Sequence, residues 1–523
     1  MLPQKSGLAL VAILMGLFVS ARATAKEAGP NLIPNPEFRE SQREPGLPEG
    51  WHRDNRKIAG VEPSHVYFCR VAGQPGKFLA IEGGPDRNSR VRCQIKNIRP
   101  RTDYLLEFLA YRPKFTNGVY LEVEIFGQRH LINQHFTYGK VQPIFLTVNS
   151  QDFRGTTGLS IENSHREVLA FGSPSLTRVE PESESKDPSD FVRLPTFFPV
   201  GIFAAEPEDL SEIRAAGFNA VQSYDSQPDT IRKMAAASEK LGLKFLPNFR
   251  SYRADISREL GGNSEVLGFY IEDEPEGRSV PPEKMRVLKE SLKRDHPGVL
   301  TAVAMLRPQM VAAYRDTTDI FMLDPYPVPN MPLTWLADCI DEAARHVPRK
   351  RLWAVIQNFG GGKYVKDGWP RRPTFLETRC LTYLALAHGV NGIFYFSYPE
   401  VGKDISAWEG LKKIVEELRQ LQTWLVIPNG RTSLGLEMTS PFKVDASGRP
   451  AVHFCQKQRE NDFLLILVNV IDRPVSFFLT AFPNKTMLLT GFFGRETAVI
   501  RGDNFRGELG PYEVRVYNFH QGN

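Results

Sequence analysis

The chain has 523 residues, 41% of them hydrophobic and 24% charged. That length suits about three domains, and the composition excludes disorder over most of the chain. A formal net charge of +5 is too weak to argue for a nucleic-acid partner, and five Cys are too few for a disulfide scaffold.

Residues 7–19 (GLALVAILMGLFV) form an apolar run behind Lys5. The run is shorter than the roughly 20 residues that span a bilayer, and Ala23-Thr24-Ala25 follows with small residues at a cleavage position. Residues 1–25 therefore read as a secretory signal peptide. The mature protein is expected to be exported, secreted or periplasmic, with no membrane attachment after cleavage. In that compartment Cys69 and Cys93 could pair, while Cys339, Cys380 and Cys455 read as buried thiols.

Residues 26–180 carry short alternating apolar runs bounded by turn residues, such as 104–111 (YLLEFLAY) and 119–126 (VYLEVEIF). This pattern predicts an antiparallel sandwich. The opening Asn31-Leu-Ile-Pro-Asn-Pro-Glu-Phe38, the Pro48-Glu-Gly-Trp51 stretch and the closing Phe171-Gly-Ser-Pro-Ser-Leu176 resemble the ends of jelly-roll carbohydrate-binding modules. The resemblance implies a β-sandwich that binds glycan or serves as a spacer. Residues 181–195, acidic and rich in Ser and Pro, read as a linker.

From 196 to 426 short apolar runs alternate with helical segments, the pattern of parallel βα units. Predicted strands cover 198–203, 220–224, 244–247, 266–271, 300–304, 320–323, 352–356 and 392–396. Eight strands over this span suit a (β/α)8 TIM barrel. A doubly wound sheet is the other reading, but no G-x-G-x-x-G follows the first strand to cradle a dinucleotide phosphate. Gly360-Gly-Gly362 reads as an active-site loop. Residues 427–523 return to strands, including 463–469 (FLLILVN) and 512–517 (YEVRVY). The expected fold class is thus multidomain, a TIM barrel flanked by two all-β sandwich domains.

Such a barrel works at the C-terminal ends of its strands. Those ends carry Tyr224, then Asn248 and Arg250, then Glu272-Asp273-Glu274-Pro275. Further on come Arg307, Asp324 with Tyr326, Gln357 with Asn358, and Tyr395. No His stands at any of these ends. That argues against a His-built metal centre and a Ser-His-Asp triad, and no cofactor is expected. Three carboxylates at one strand end repel one another, which tends to raise a pKa. A raised carboxyl is what a general acid needs to protonate a leaving glycosidic oxygen.

The stretch Gly268-Phe-Tyr-Ile-Glu-Asp-Glu-Pro275 resembles the fourth strand of clan A glycoside hydrolases. Trp353-Ala-Val-Ile-Gln-Asn-Phe359 and Gly392-Ile-Phe-Tyr-Phe-Ser397 resemble the last two βα units of bacterial secreted barrels of that kind. The resemblance covers about 197–426. It implies a glycosidase acting on a poly- or oligosaccharide, with Glu274 as acid/base and Asp273 orienting substrate or partnering Glu274. The position where that clan keeps its nucleophile holds Gln357, and an amide cannot form the glycosyl ester. Three explanations stand open at this level. A second carboxylate comes from elsewhere, first Asp324 and next Glu272. Alternatively the substrate's own acetamido group acts, as in N-acetylhexosaminidases with an Asp-Glu pair, and Tyr326 or Tyr395 holds its oxygen. In the third, catalysis is lost and the barrel only binds carbohydrate. Glu272, Tyr224, Asn248, Arg250, Tyr326, Gln357, Asn358 and Tyr395 are read as substrate-binding. Arg250 and Arg307 serve a uronate or sulfate, or else hold the acidic cluster in place. The partner expected is carbohydrate, and the sequence carries no signal for an oligomeric state.

Overall fold

The computed structural model describes residues 30–178 and 197–520, apart from 54–61, 64, 83–86, 89, 114–120, 133–140, 151, 164–167, 251–252, 279, 348–350, 431–434, 481–486, 495–496 and 501–503. The predicted signal peptide and linker lie outside the described residues. The chain divides into two compact units, 1–185 and 186–523.

In the first unit two five-stranded sheets face each other. One runs Trp51–Arg53, Arg90–Ile98, Gly155–Asn163, Leu121–Ile125 and Gln128–Ile132. The other runs Val141–Asn149, Asp103–Tyr111, Val168–Arg178, Phe78–Glu82 and His65–Cys69. Alternate residues of both sheets fill one core, in which Phe38, Trp51 and Phe171 pack ring against ring. The opening Asn31 is fastened to the last strand. Its Oδ1 accepts the N–H of Leu176 at 3.0 Å, and its Nδ2 donates to the Pro174 carbonyl at 3.2 Å. Cys69 and Cys93 sit on different sheets as free thiols.

The second unit holds eight parallel strands: β1 (Val200–Ile202), β2 (Ala220–Gln222), β3 (Lys244–Leu246), β4 (Phe269–Asp273), β5 (Thr301–Met305), β6 (Ile320–Leu323), β7 (Arg351–Gln357) and β8 (Ile393–Phe396). A helix follows each: α1 (Leu210–Ala215), α2 (Pro228–Leu241), α3 (Ala254–Leu260), α4 (Pro282–Asp295), α5 (Val311–Tyr314), α6 (Thr334–His346), α7 (Phe375–Ala387) and α8 (Ile405–Gln420). The sheet order is β3-β2-β1-β8-β7-β6-β5-β4. Parallel bridges from Phe245 to Val266 and from Asn248 to Tyr270 join its two edges, so the sheet closes into a barrel. Because side chains alternate along a strand, two layers result. Phe203, Ala220, Tyr270, Ala302, Met322, Trp353, Val355 and Phe394 fill the interior, while Val221, Phe245, Val303, Phe321, Ile356 and Tyr395 pack between strands and helices.

The chain then returns to antiparallel strands: β9 (Gly435–Met438), β10 (Val452–Arg459), β11 (Asp462–Asn469), β12 (Val475–Thr480), β13 (Met487–Gly491), β14 (Thr497–Ile500), β15 (Phe505–Leu509) and β16 (Val514–His520). They form a three-stranded sheet, β9-β12-β15, and a five-stranded one, β10-β11-β16-β13-β14. The unbroken apolar run of β11 has a direct cause, since the strand is buried on both faces. Leu465 and Leu467 turn into the sandwich, and Leu464, Ile466 and Val468 into the barrel's outer core. Helix α7 answers with an apolar surface nearly all round, and nine of its residues are buried.

Candidate active site

Strand β4 sets the site. Tyr270 pairs with Ala302, but Glu272 pairs with Val303 and Asp273 with Ala304. Ile271 is therefore an extra residue, a β-bulge, which turns the side chains after it to the opposite face. Without it Tyr270, Glu272 and Glu274 would share a face. With it Asp273 joins Tyr270 and Ala304 on the interior side, and Glu272 follows Val303 of the outer layer.

Asp273 is the most heavily engaged carboxylate. Tyr270 Oη donates to its Oδ1 at 2.5 Å and Tyr224 Oη lies at 3.4 Å. Arg250 Nη2 and Arg278 Nη2 each reach its Oδ2 at 2.8 Å. Arg250 also ion-pairs with Glu272 through Nε at 3.4 Å, and the Glu272 carboxylate accepts the N–H of Asp273 at 3.0 Å. Asn248 holds the Tyr224 carbonyl at 2.6 Å.

Glu274 departs from this pattern. Its backbone is left-handed, at φ 46°, a conformation costing a non-glycine residue about 1–2 kcal/mol and characteristic of functional positions. Burial and the negative charge of Asp273 raise its pKa above the usual carboxylate range. Asp324, just beyond β6, is wholly buried, and burial together with the Glu274 charge pushes its pKa up further. Each of the two carboxyls acts on the other's titration. Of the two, the deeper Asp324 keeps its proton more firmly. Asp324 Oδ1 is buried and has no hydrogen-bond partner among the described residues.

A further carboxyl, Glu276, lies beside the pair and escaped the sequence reading, although it stands two residues past Glu274. Its Oε1 accepts the N–H of Arg307 at 2.8 Å, its Oε2 is buried with no hydrogen-bond partner among the described residues, and burial lifts its pKa to about 7. Arg278, whose partner is Asp273, was also unread. The half-buried Phe396, Trp369 and Tyr364, absent from the expected set, join Tyr224 and Tyr326 in an aromatic group on this barrel end.

Three expected site residues lie elsewhere. Gln357 is fully buried, and its amide is spent on backbone. Oε1 accepts the Val328 N–H at 2.9 Å, and Nε2 donates to the carbonyls of Val328 at 2.8 Å and Phe359 at 3.3 Å. Tyr395 points outward between β8 and α7, where its hydroxyl meets Thr382 Oγ1 at 3.1 Å. Its neighbours Phe394 and Phe396 take the inward positions. Asn358 lines a separate cavity among Arg372, Thr374, Asp404 and other residues around α7 and α8. Among the rest, the structure gathers Asp273, Glu274, Asp324, Glu272, Tyr224, Asn248 and Arg250 around β4, with Tyr326 nearby.

No protein-family model and no curated protein sequence matches the chain. Among solved structures it is similar to an α-amylase from Geobacillus thermoleovorans complexed with acarbose, at 13% identity over 61% of this chain and 92% of that one, TM-score 0.44. It is similar also to a GH30 endoxylanase from Clostridium papyrosolvens, at 11% identity over 62% and 97%, TM-score 0.38. A putative α-galactosidase/melibiase from Bacteroides fragilis matches at 12% identity over 82% and 97%, TM-score 0.44. The barrel stands on its own strand order and closure.

Proposed function

We propose that this chain is an exported glycoside hydrolase that cleaves a poly- or oligosaccharide with Glu274 as general acid/base and Asp324 as the second carboxyl. The observation that carries the reading is the pair of carboxyls, Glu274 and Asp324, at the C-terminal end of the barrel strands, both with pKa raised by burial. Beside it stands a third carboxylate, Asp273, engaged by two guanidinium groups and a phenol. Neighbouring carboxyls in unlike environments divide acid from anion.

The chemistry follows from where the proton sits. When substrate binds, Glu274 carries the proton, which burial and the Asp273 charge favour, and Asp324 is the carboxylate. Glu274 then delivers it to the leaving oxygen, and the Asp324 carboxylate attacks the anomeric carbon. Water later opens the glycosyl ester, with Glu274 taking its proton. Because Asp324 attacks and water then opens the ester, two inversions follow one another and the anomeric configuration is retained. Gln357 needs no catalytic role in this scheme, because its amide secures the loop that follows β6.

The test is hydrolysis of a broad glycan and aryl-glycoside panel. Glu274→Gln and Asp324→Asn are each expected to lower kcat/KM by roughly 10²–10⁴, and the first-formed product keeps the substrate's anomeric configuration by NMR. Cleavage that survives Glu274→Gln overturns the site. An inverted product removes Asp324 as nucleophile.

A further inference from the structure

Arg250, Arg278 and Arg307 stand among the carboxyls at this end of the barrel, and two of them hold the acidic cluster. Arg250 pairs with Asp273 at 2.8 Å and with Glu272 at 3.4 Å. Arg278 reaches Asp273 at 2.8 Å. Arg307, just past β5, is the exception. Its backbone is fastened on both sides. The N–H donates to Glu276 Oε1 at 2.8 Å, and the carbonyl accepts the N–H of Met310 at 2.9 Å. Its guanidinium forms no hydrogen bond and no ion pair with any described residue.

The fold keeps that guanidinium beside the general acid. The end of β5 lies against the end of β4, where the Ala304 carbonyl accepts the Glu274 N–H at 3.0 Å. The charges of Glu276 and Glu274 act on Arg307, but burial strips water from the half-buried guanidinium and brings its pKa down all the same. Nor does Arg307 prevail over its neighbours. Glu274, Glu276 and Asp324 all stay above the usual carboxylate range. Carboxyls that hold their protons repel an incoming anion less than three full charges would. A partly desolvated cation without a partner is stabilised by a ligand that brings the missing charge. The planar fork of a guanidinium meets two oxygens of a carboxylate or a sulfate side by side, a match that a neutral hydroxyl does not offer.

We propose that Arg307 is a specificity residue whose guanidinium receives an oxyanion carried by the saccharide, a uronate carboxylate or a sulfate ester. The substrate class is then an acidic poly- or oligosaccharide. This assignment rests on the glycosidase reading above and names its substrate class. Arg250 holds the acidic cluster, whereas Arg307 meets the substrate.

The experiment compares matched saccharides that differ at the acidic group, using the full chain. Wild type, Arg307→Gln and Arg307→Lys are assayed, with folding checked by circular dichroism. The pairs are 4-nitrophenyl glucuronides and galacturonides against the corresponding glucosides and galactosides in both anomers, a polyuronate against its carboxyl-reduced form, and a sulfated galactan against its desulfated form. kcat/KM is expected to favour the acidic member of at least one pair, and which pair it is tells carboxylate from sulfate. In Arg307→Gln that preference falls roughly ten- to a hundredfold, as loss of a charged hydrogen bond implies, and Arg307→Lys restores part of it. Calorimetry of the acidic saccharides on Glu274→Gln reads binding without turnover, and adding Arg307→Gln is expected to weaken it by a similar factor. A preference untouched in both Arg307 variants overturns the assignment. Cleavage confined to neutral glycans overturns it and leaves the proposed function standing. Acidic saccharides neither bound nor cleaved overturn it as well. Acidic saccharide bound through Arg307 and never cleaved supports the assignment and overturns the proposed function.

Discussion

Glu276 shows how far a site dominated by burial moves a carboxyl. Its pKa of about 7 stands against 4.5 for the free group. Below about pH 4.5 it is protonated whether the chain is folded or not, and its contribution to stability is fully present. From there to about pH 7 the folded protein binds more protons than the unfolded chain, so stability falls as pH rises. A shift of this size corresponds to about 3 kcal/mol. Glu276→Gln removes the charge and keeps the shape, and its amide can donate where Oε2 has no partner. The drop in unfolding free energy between pH 5 and pH 8, read by urea titration, is therefore expected to shrink by about 3 kcal/mol in this variant. An unchanged drop means that the carboxyl is solvated. Asp324 has the same sign, so both proteins retain the remainder of the slope.

At the scale of elements, much of the barrel was legible in the sequence. Runs such as 320–323 coincide with their strands because a strand buried on both faces must be apolar throughout. Two placements were not legible. The bulge at Ile271 leaves no mark in composition, yet it decides which of Glu272 and Asp273 faces inward. Tyr395 carried a signal that went unused, since the flanking Phe394 and Phe396 occupy the inward parity. Gln357 is the instructive case. Its residue type looked like a lost nucleophile, while the structure has it clamping Val328 through both ends of the amide. An amide offers a donor and an acceptor on separate atoms, which a carboxylate does not. Gln357→Glu puts a carboxylate against two carbonyl oxygens, and the expected result is a loss of about 1–3 kcal/mol with no gain in hydrolysis. Thermal unfolding and the glycan panel measure both. A Gln357→Glu protein that is as stable and more active than wild type restores the nucleophile reading of that position.

On the scale of the whole molecule, the two ends of the chain differ in what they share. The 1–185 unit has its own core, whereas the C-terminal strands lend part of theirs to the barrel. Leu464, Ile466 and Val468 of β11 and Val514 and Val516 of β16 belong to the same buried cluster as Leu381 and Leu384 of α7. Polar ties cross the same junction. Cys380 donates to the Asn469 carbonyl and Arg379 to the Val514 carbonyl. Each such aliphatic side chain contributes about 1.5–3 kcal/mol by burial. Five together are of order 10 kcal/mol, comparable with the whole stability of a domain. Residues 30–178 expressed alone are thus expected to unfold in one cooperative transition, and so are 197–523. Residues 197–426, with the α7 face uncovered, are expected to aggregate or to unfold without a sharp transition. Calorimetry on the three fragments decides the matter. A soluble 197–426 fragment melting within a few degrees of 197–523 means that α7 repacks on its own, and that the C-terminal sandwich contributes little to holding the barrel strands, and with them Glu274 and Asp324, in place.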